Sequence, residues 1–343
     1  VSCLPNAGIP ENVGGHAHFP LGPEEFSNEL TRFVEDFGVG VVGGCCGTTY
    51  EHIRLLAEKV RNCEHQTKNT TARLPDDNPI ESVSSIYNSV PMIMEPRPLI
   101  VGERTNANGS KLFRDLLGVG DYEGIVDIAK DQVAEGAHVL DVCTAYVGRD
   151  EMKDMIEVIK RINTQVNIPI MVDSTEYPVL KEALKYISGK PIINSVNLED
   201  GEERVSQIAG LARQFGAALV VLTIDEEGMA KTAERKLAVA SRLYEMLVHK
   251  YGLDSRNLIY DTLTFTLGSG DEEMRNAGVE TIKAIRMIKE KYPEVKTILG
   301  LSNISFGLDA KLRPALNSVF LHECLSYCAT GSEDSRVLLG FNL

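Results

Sequence analysis

The side chains in this chain that can do chemistry sit where short apolar runs stop. Ile168-Pro169-Ile170-Met171-Val172 stops at Asp173, and Pro191-Ile192-Ile193 stops at Asn194. A buried parallel strand reads this way when it delivers a side chain to a functional rim. The pattern recurs at Glu103, Asp141, Asp261 and Ser302-Asn303, with Asn106 in the loop after Glu103. Carboxylates only accept hydrogen bonds, whereas carboxamides both donate and accept. Together they suit a flat heterocycle with amino, amide and ring N–H groups. The set holds no His and no Ser or Cys beside a base, which argues against a nucleophile supplied by the protein. Each residue alone also suits a helix cap. The acids alone would suit Mg²⁺, but the interleaved asparagines favour the heterocycle.

A second candidate is Gly43-Gly44-Cys45-Cys46-Gly47-Thr48-Thr49, which puts two thiols side by side on a glycine-rich turn after a strand. Adjacent cysteines pair with each other only under strain, so a shared metal and two packed core cysteines both stay open.

The elements that must position these groups alternate strand and helix from Pro98 onward, in the order of a (β/α)8 TIM barrel. Strands are expected to end near Glu103, Asp141, Asp173, Asn194, Leu222, Asp261 and Leu301. Helices are expected at 122–135, 149–164, 176–187, 201–215, 230–251, 276–291 and 311–326, the last with Leu316, Val319, Phe320 and Cys324 on one stripe. Only Val337-Leu338-Leu339-Gly340-Phe341 is available as an eighth strand. A doubly wound sheet would need a glycine phosphate loop after its first strand, and Arg104-Thr105-Asn106-Ala107-Asn108-Gly109-Ser110 is an amide-rich loop instead. The G-x-G-x-x-G at Gly38–Gly43 precedes and occupies its strand, and no G-x-x-x-x-G-K-[ST] occurs. Ahead of the barrel lie helices at 24–37 and 50–61 flanking a strand at 39–42, and then a polar, proline-punctuated stretch that reads as a linker.

A net charge of −14 opposes binding to nucleic acid or to an anionic membrane surface. No apolar run is long enough to span a bilayer. Seven scattered cysteines point to a reducing cytoplasm.

Several of these segments resemble the pterin-binding barrel of the cobalamin-dependent methionine synthase family. They are Val101-Gly102-Glu103-Arg104-Thr105-Asn106, Gly136-Ala137 through Leu140-Asp141, Met171-Val172-Asp173-Ser174, Ile193-Asn194-Ser195, Tyr260-Asp261 and Gly300-Leu301-Ser302-Asn303-Ile304-Ser305-Phe306-Gly307. Pro5-Asn6-Ala7-Gly8 and the Cys45-Cys46 turn resemble the end of that family's homocysteine-binding barrel. The resemblance implies a methyltransferase in which 5-methyltetrahydrofolate gives its methyl group to cob(I)alamin, carried on a separate corrinoid-binding domain or protein. The methyl group then passes to homocysteine held as a zinc thiolate.

It also implies roles for residues. Asp173, Asn194 and Asp261 would hold the pterin, and Asn303 would hydrogen-bond near N5, with Asn303 and Asp173 the catalytic pair. Glu103, Arg104, Asn106, Asp141 and Ser302 would line the same mouth, and Arg313 or Lys311 would meet the glutamate tail. Cys45 and Cys46 match two of three zinc thiolates, the third belonging to an upstream strand outside this chain. The implied domains are a remnant of the homocysteine barrel at 1–62, a linker at 63–97 and the pterin barrel at 98–343, with its last strand and helix incomplete. A free-standing methyltetrahydrofolate:corrinoid methyltransferase, a dihydropteroate synthase relative and a catalytically silent folate-binding fragment are the alternatives.

Overall fold

The computed structural model describes residues 1–61, 63, 81–269, 274–329 and 337–341. The chain divides into two compact units, Val1–Pro79 and Ile80–Leu343.

In the first unit, β1 (Ser2–Cys3) pairs in parallel with β4 (Val41–Val42), while β2 (Glu11–Val13) and β3 (His16–His18) form an exposed hairpin. Helices α1 (Pro23–Phe37) and α2 (Tyr50–Arg61) bury Phe26, Leu30 and Leu56 between them. On α2, Ile53 is 42% exposed while the neighbouring His52 is buried. His52 Nδ1 accepts from the Thr49 N–H (3.1 Å), so Nε2 donates to the Leu21 carbonyl (3.0 Å).

The second unit opens with β5 (Ser82–Ser84) and β6 (Ser89–Pro91), an antiparallel hairpin where the sequence reading expects linker. Residues 64–80 of that expected linker lie outside the described residues. Val83 and Met92 of this segment are buried in the barrel's inner core. The Ser84 N–H donates to the Lys190 carbonyl (3.0 Å), and buried Lys296 is bound by Glu81 and by the Arg256 carbonyl. Because Lys190, Arg256 and Lys296 all lie at strand starts, the hairpin stoppers the N-terminal end of the barrel. Gly189 permits its close approach: φ is +94°, and an added Cβ would lie 2.4 Å from the Ser84 carbonyl oxygen.

The chain then runs through β7 (Leu99–Gly102), α3 (Lys111–Val119), α4 (Tyr122–Ala134), β8 (Val139–Val142), α5 (Glu151–Gln165) and β9 (Ile170–Asp173). It continues with α6 (Tyr177–Ala183), β10 (Ile192–Val196), α7 (Gly201–Phe215), β11 (Ala218–Leu222) and the small hairpin β12 (Ile224–Asp225) and β13 (Gly228–Met229). The remaining elements are α8 (Ala233–Tyr244), β14 (Leu258–Asp261), α9 (Ala277–Lys291), β15 (Lys296–Gly300), α10 (Arg313–Ala329) and β16 (Val337–Phe341). Strands β7, β8, β9, β10, β11, β14, β15 and β16 form a closed parallel barrel. This is the expected (β/α)8 architecture. Where the sequence reading expects an incomplete last strand, β16 pairs with β15 on one side and with β7 on the other.

Helix α3 is absent from the expected elements. Its signals are local: the Ser110 hydroxyl caps the Phe113 N–H (3.2 Å), Phe113 and Leu117 are buried one turn apart, and Gly120 ends the helix with φ +74°. On α10, Phe320 and Cys324 are buried as expected but Val319 is 61% exposed.

The pleat explains how the mouth is built. On β9, Ile170 and Val172 pack outward against the helices while Met171 packs into the barrel. Alternation therefore points Asp173 inward, one layer above Met171. The same parity places Asp141 above Val139, Asn194 above Ile192, Asp261 above Ile259 and Glu103 above Val101. The apolar layer and the polar layer are consecutive inward positions on the same strands.

Candidate functional site

Asp173 and Asn194 are direct partners across β9 and β10. Asn106, in the loop after β7, links two of the acids: its Nδ2 donates to Asp141 Oδ2 (2.7 Å) and to Asp173 Oδ2 (2.9 Å). The loop is held for this by Thr105, whose hydroxyl donates to the Asp141 carbonyl (2.6 Å), and by the Ala107 N–H on the Cys143 carbonyl (2.9 Å). Asp141 is buried, and its Oδ1 has no hydrogen-bond partner among the described residues. Glu103, Asn106, Asp173, Asn194 and Asp261 are half-buried. The arrangement is an open cup of acids and amides with one buried acid beneath them.

Its electrostatics follow first from burying carboxyls in a partly dry space and then, for some of them, from neighbouring like charges. Burial, then the neighbouring Asp261 and Asp173, raises Glu103 from 4.5 to about 7. Burial raises Asp173 to about 6, opposed by hydrogen bonds from Asn106 and Cys143. Burial also raises Asp261 to about 6, opposed by the Leu263 N–H and the Lys236 charge. Asp141 is raised well above the ordinary range by burial and by the charges of Asp173 and Glu103. Near neutral pH the cup therefore holds both protonated and ionised carboxyls, so it can both donate to and accept from a heterocycle.

The loop after β15 carries Ser302 and Asn303. Gly300 occupies the inward position above Ile298, and a Cβ there would lie 2.9 Å from Asn303 Nδ2. The missing side chain is what lets the Asn303 amide fold over the strand end. Asn303 is exposed and Ser302 half-buried. Arg313, at the start of α10, donates from Nε to the Ser305 hydroxyl (3.2 Å). Arg104, expected at the mouth, pairs its guanidinium with Glu135, and its N–H donates to Gln132 Oε1 (2.7 Å).

Sequence reasoning missed several supporting groups. The Ser174 hydroxyl donates to Glu151 Oε1 (2.5 Å) just behind Asp173. Buried Gln132 lies against Gly102, where an added Cβ would come within 2.6 Å of its Oε1. Buried Lys236 lies behind Asp261 and has a legible signal, a lysine standing with Ala233, Val239, Ala240 and Leu243 on the buried stripe of α8.

In the first unit, Cys45 and Cys46 are exposed, which removes the packed-core reading. Their sulfurs are 3.8 Å apart, and the Cys45 thiol beside it holds Cys46 above the ordinary thiol value. Tetrahedral zinc with Zn–S bonds of about 2.3 Å has an S···S edge of roughly 3.8 Å, so the spacing suits two ligands. Among the described residues, no group of three or more His, Cys, Asp or Glu side chains is placed to hold a metal ion. The residues present thus do not complete a zinc site.

Residues 102–332 match the family model of pterin binding enzymes. The chain belongs to that family. Residues 1–60 also match the homocysteine S-methyltransferase model. The methionine synthase of Mycobacterium leprae (strain TN) is 48% identical over 327 residues, covering 94% of this chain. That of Mycobacterium tuberculosis (strain ATCC 25618 / H37Rv) is 47% identical over the same length. The chain spans 27% of each of these relatives. Two dihydropteroate synthase structures from Xanthomonas albilineans superpose with TM-scores of 0.54 and 0.53 at 16% identity. They cover 76% of this chain, and 92% and 93% of their own chains, and share the pterin-binding barrel's fold. No helix among the described residues is long and apolar enough to cross a membrane.

Proposed function

We propose that the barrel binds 5-methyltetrahydrofolate and presents its methyl group to cob(I)alamin in the synthesis of methionine from homocysteine. The observation that carries this reading is the 48% identity to a methionine synthase across 94% of the chain. The reduced corrinoid is the methyl acceptor and is carried by a separate domain or protein. It brings the nucleophile, which fits a cup built without one.

The chain's own residues then have two tasks. Asp173, Asn194 and Asp261 bind and orient the pterin ring, with Glu103, Asn106 and Asp141 beside them. Asn303 approaches N5, where a hydrogen bond that strengthens as N5 takes a proton favours departure of the methyl group. Ser302 lies at the same edge, and Arg313 suits the anionic glutamate tail. Asp173 and Asn303 are the residues assigned to catalysis. Cys45 and Cys46 match two thiolate ligands of the homocysteine half-reaction, but no step is assigned to them because the site is incomplete. The acidic surface and the scattered free cysteines favour a cytoplasmic setting.

The test is titration of 5-methyltetrahydrofolate into wild type and Asp173→Ala. Removing a charged acceptor facing the pterin is expected to weaken binding at least tenfold, about 1.4 kcal/mol. Unchanged affinity in a folded variant would refute the site. Turnover with free cob(I)alamin separates a transferase from a silent folate-binding fragment.

A further inference from the structure

The side chain of Lys236 on α8 is fully buried, yet it is a cation on a helix face whose other buried residues are aliphatic. Burying an ammonium is costly unless its donors are used. Here Nζ donates to the Leu263 carbonyl (3.0 Å) and to the Thr281 hydroxyl (3.0 Å), and it stands 5.4 Å from the centre of the Phe265 ring. The Thr281 hydroxyl donates to the same Leu263 carbonyl (3.0 Å). Two side chains from two helices thus converge on one carbonyl oxygen, in the loop directly after Asp261.

That loop has an unusual backbone. Leu263 is the single non-glycine residue with positive φ among the described residues, at +57°. The left-handed region is disfavoured for a branched side chain, so surrounding contacts must hold it. In this conformation the Leu263 N–H donates to Asp261 Oδ1 (2.7 Å). One end of the Leu263 residue is gripped by Lys236 and Thr281, and the other end caps the carboxylate at the mouth.

We propose that Lys236 is a positioning residue for the pterin pocket, its ammonium fixing the Leu263 carbonyl so that the Leu263 amide occupies Oδ1 of Asp261 and leaves Oδ2 for the ligand. The charge acts in the same direction: Lys236 favours ionised Asp261, while burial holds Lys236 itself at about 8, against the pull of Asp261 and Glu280. The role of Asp261 toward a pterin rests on the functional reading above. The loop clamp does not.

Two measurements on the full chain separate these points. The first is amide hydrogen exchange without ligand in wild type, Lys236→Met and Thr281→Val. Methionine is of similar length and uncharged, and replacing a buried ion with an apolar side chain is commonly tolerated. The Leu263 amide is expected to exchange at least tenfold faster in Lys236→Met and to a smaller extent in Thr281→Val, with β8 and β9 unchanged. The second is a double-mutant cycle on 5-methyltetrahydrofolate affinity. Lys236→Met is expected to weaken binding about tenfold, whereas Lys236→Met/Asp261→Ala should be within about twofold of Asp261→Ala alone. A purely structural lysine would give additive losses. Unchanged Leu263 exchange in both single variants, or an additive cycle, overturns the proposal. If wild type does not bind the folate, the pterin reading falls and the exchange result alone decides the clamp.

Discussion

Replacing Glu103 with glutamine should make the ligand-free protein more stable, and only at the upper end of the pH range. Glu103 is raised from 4.5 to about 7 by burial and by the neighbouring acids. A carboxyl raised on folding stabilises the folded state below its unfolded value, and that contribution is lost as pH rises through the folded value. Between pH 4.5 and 7 the unfolded chain gives up this proton first, so wild type loses stability across that window while Glu103→Gln does not. At about 1.36 kcal/mol per pKa unit the gap corresponds to roughly 3 kcal/mol, and partial exposure of the side chain reduces the expectation to about 1–2 kcal/mol. For a domain of this size that is on the order of 2–8 °C in Tm. Thermal unfolding of both proteins at pH 4.5 and pH 8 measures it. The curves should nearly coincide at pH 4.5, and the variant should melt higher at pH 8. An equal difference at both pH values, or a less stable variant at pH 8, would refute the assignment of Glu103 to a crowded acid cluster. The same variant is expected to bind 5-methyltetrahydrofolate more weakly, since the cluster that costs stability is the one proposed to face the ligand.

Asn106→Ala removes the amide that serves Asp141 and Asp173 together. It should cost about 1–3 kcal/mol at pH 8 and less at pH 5, where Asp173 is protonated in the folded state, as read by denaturant unfolding at the two pH values. Gly189→Ala forces a Cβ to within 2.4 Å of the Ser84 carbonyl oxygen at a φ of +94°. The expected loss is more than about 2 kcal/mol, with faster hydrogen exchange in the 82–91 hairpin and folate affinity unchanged in the folded fraction.

The barrel was legible because its strands are short apolar runs punctuated by polar ends, and its helices carry apolar residues at helical spacing. The acids and amides at those ends could be chosen from the chain for the same reason: pleat parity along one strand makes each the inward successor of an inward apolar residue. Even so, parity says only that Asp141 and Asp173 share a rim, and it does not reach Asn106 in the loop after β7. That one amide donates to both carboxylates, and that burial, joined at Glu103 and Asp141 by neighbouring charges, raises the acids, depends on closure of the barrel around them. Helix α3 and the β5–β6 hairpin escaped because their signals are short and their apolar residues gain burial only against the rest of the unit.

Lys236 marks the same boundary more sharply. Its place on the buried stripe of α8 is written in the sequence, since Ala233, Val239, Ala240 and Leu243 surround it at helical spacing. What its charge binds is not, because the Leu263 carbonyl is 27 residues away and the Thr281 hydroxyl 45. Periodicity along a chain reports which side of an element is dry. The partner of a buried charge is decided by which other elements the tertiary fold brings against that side.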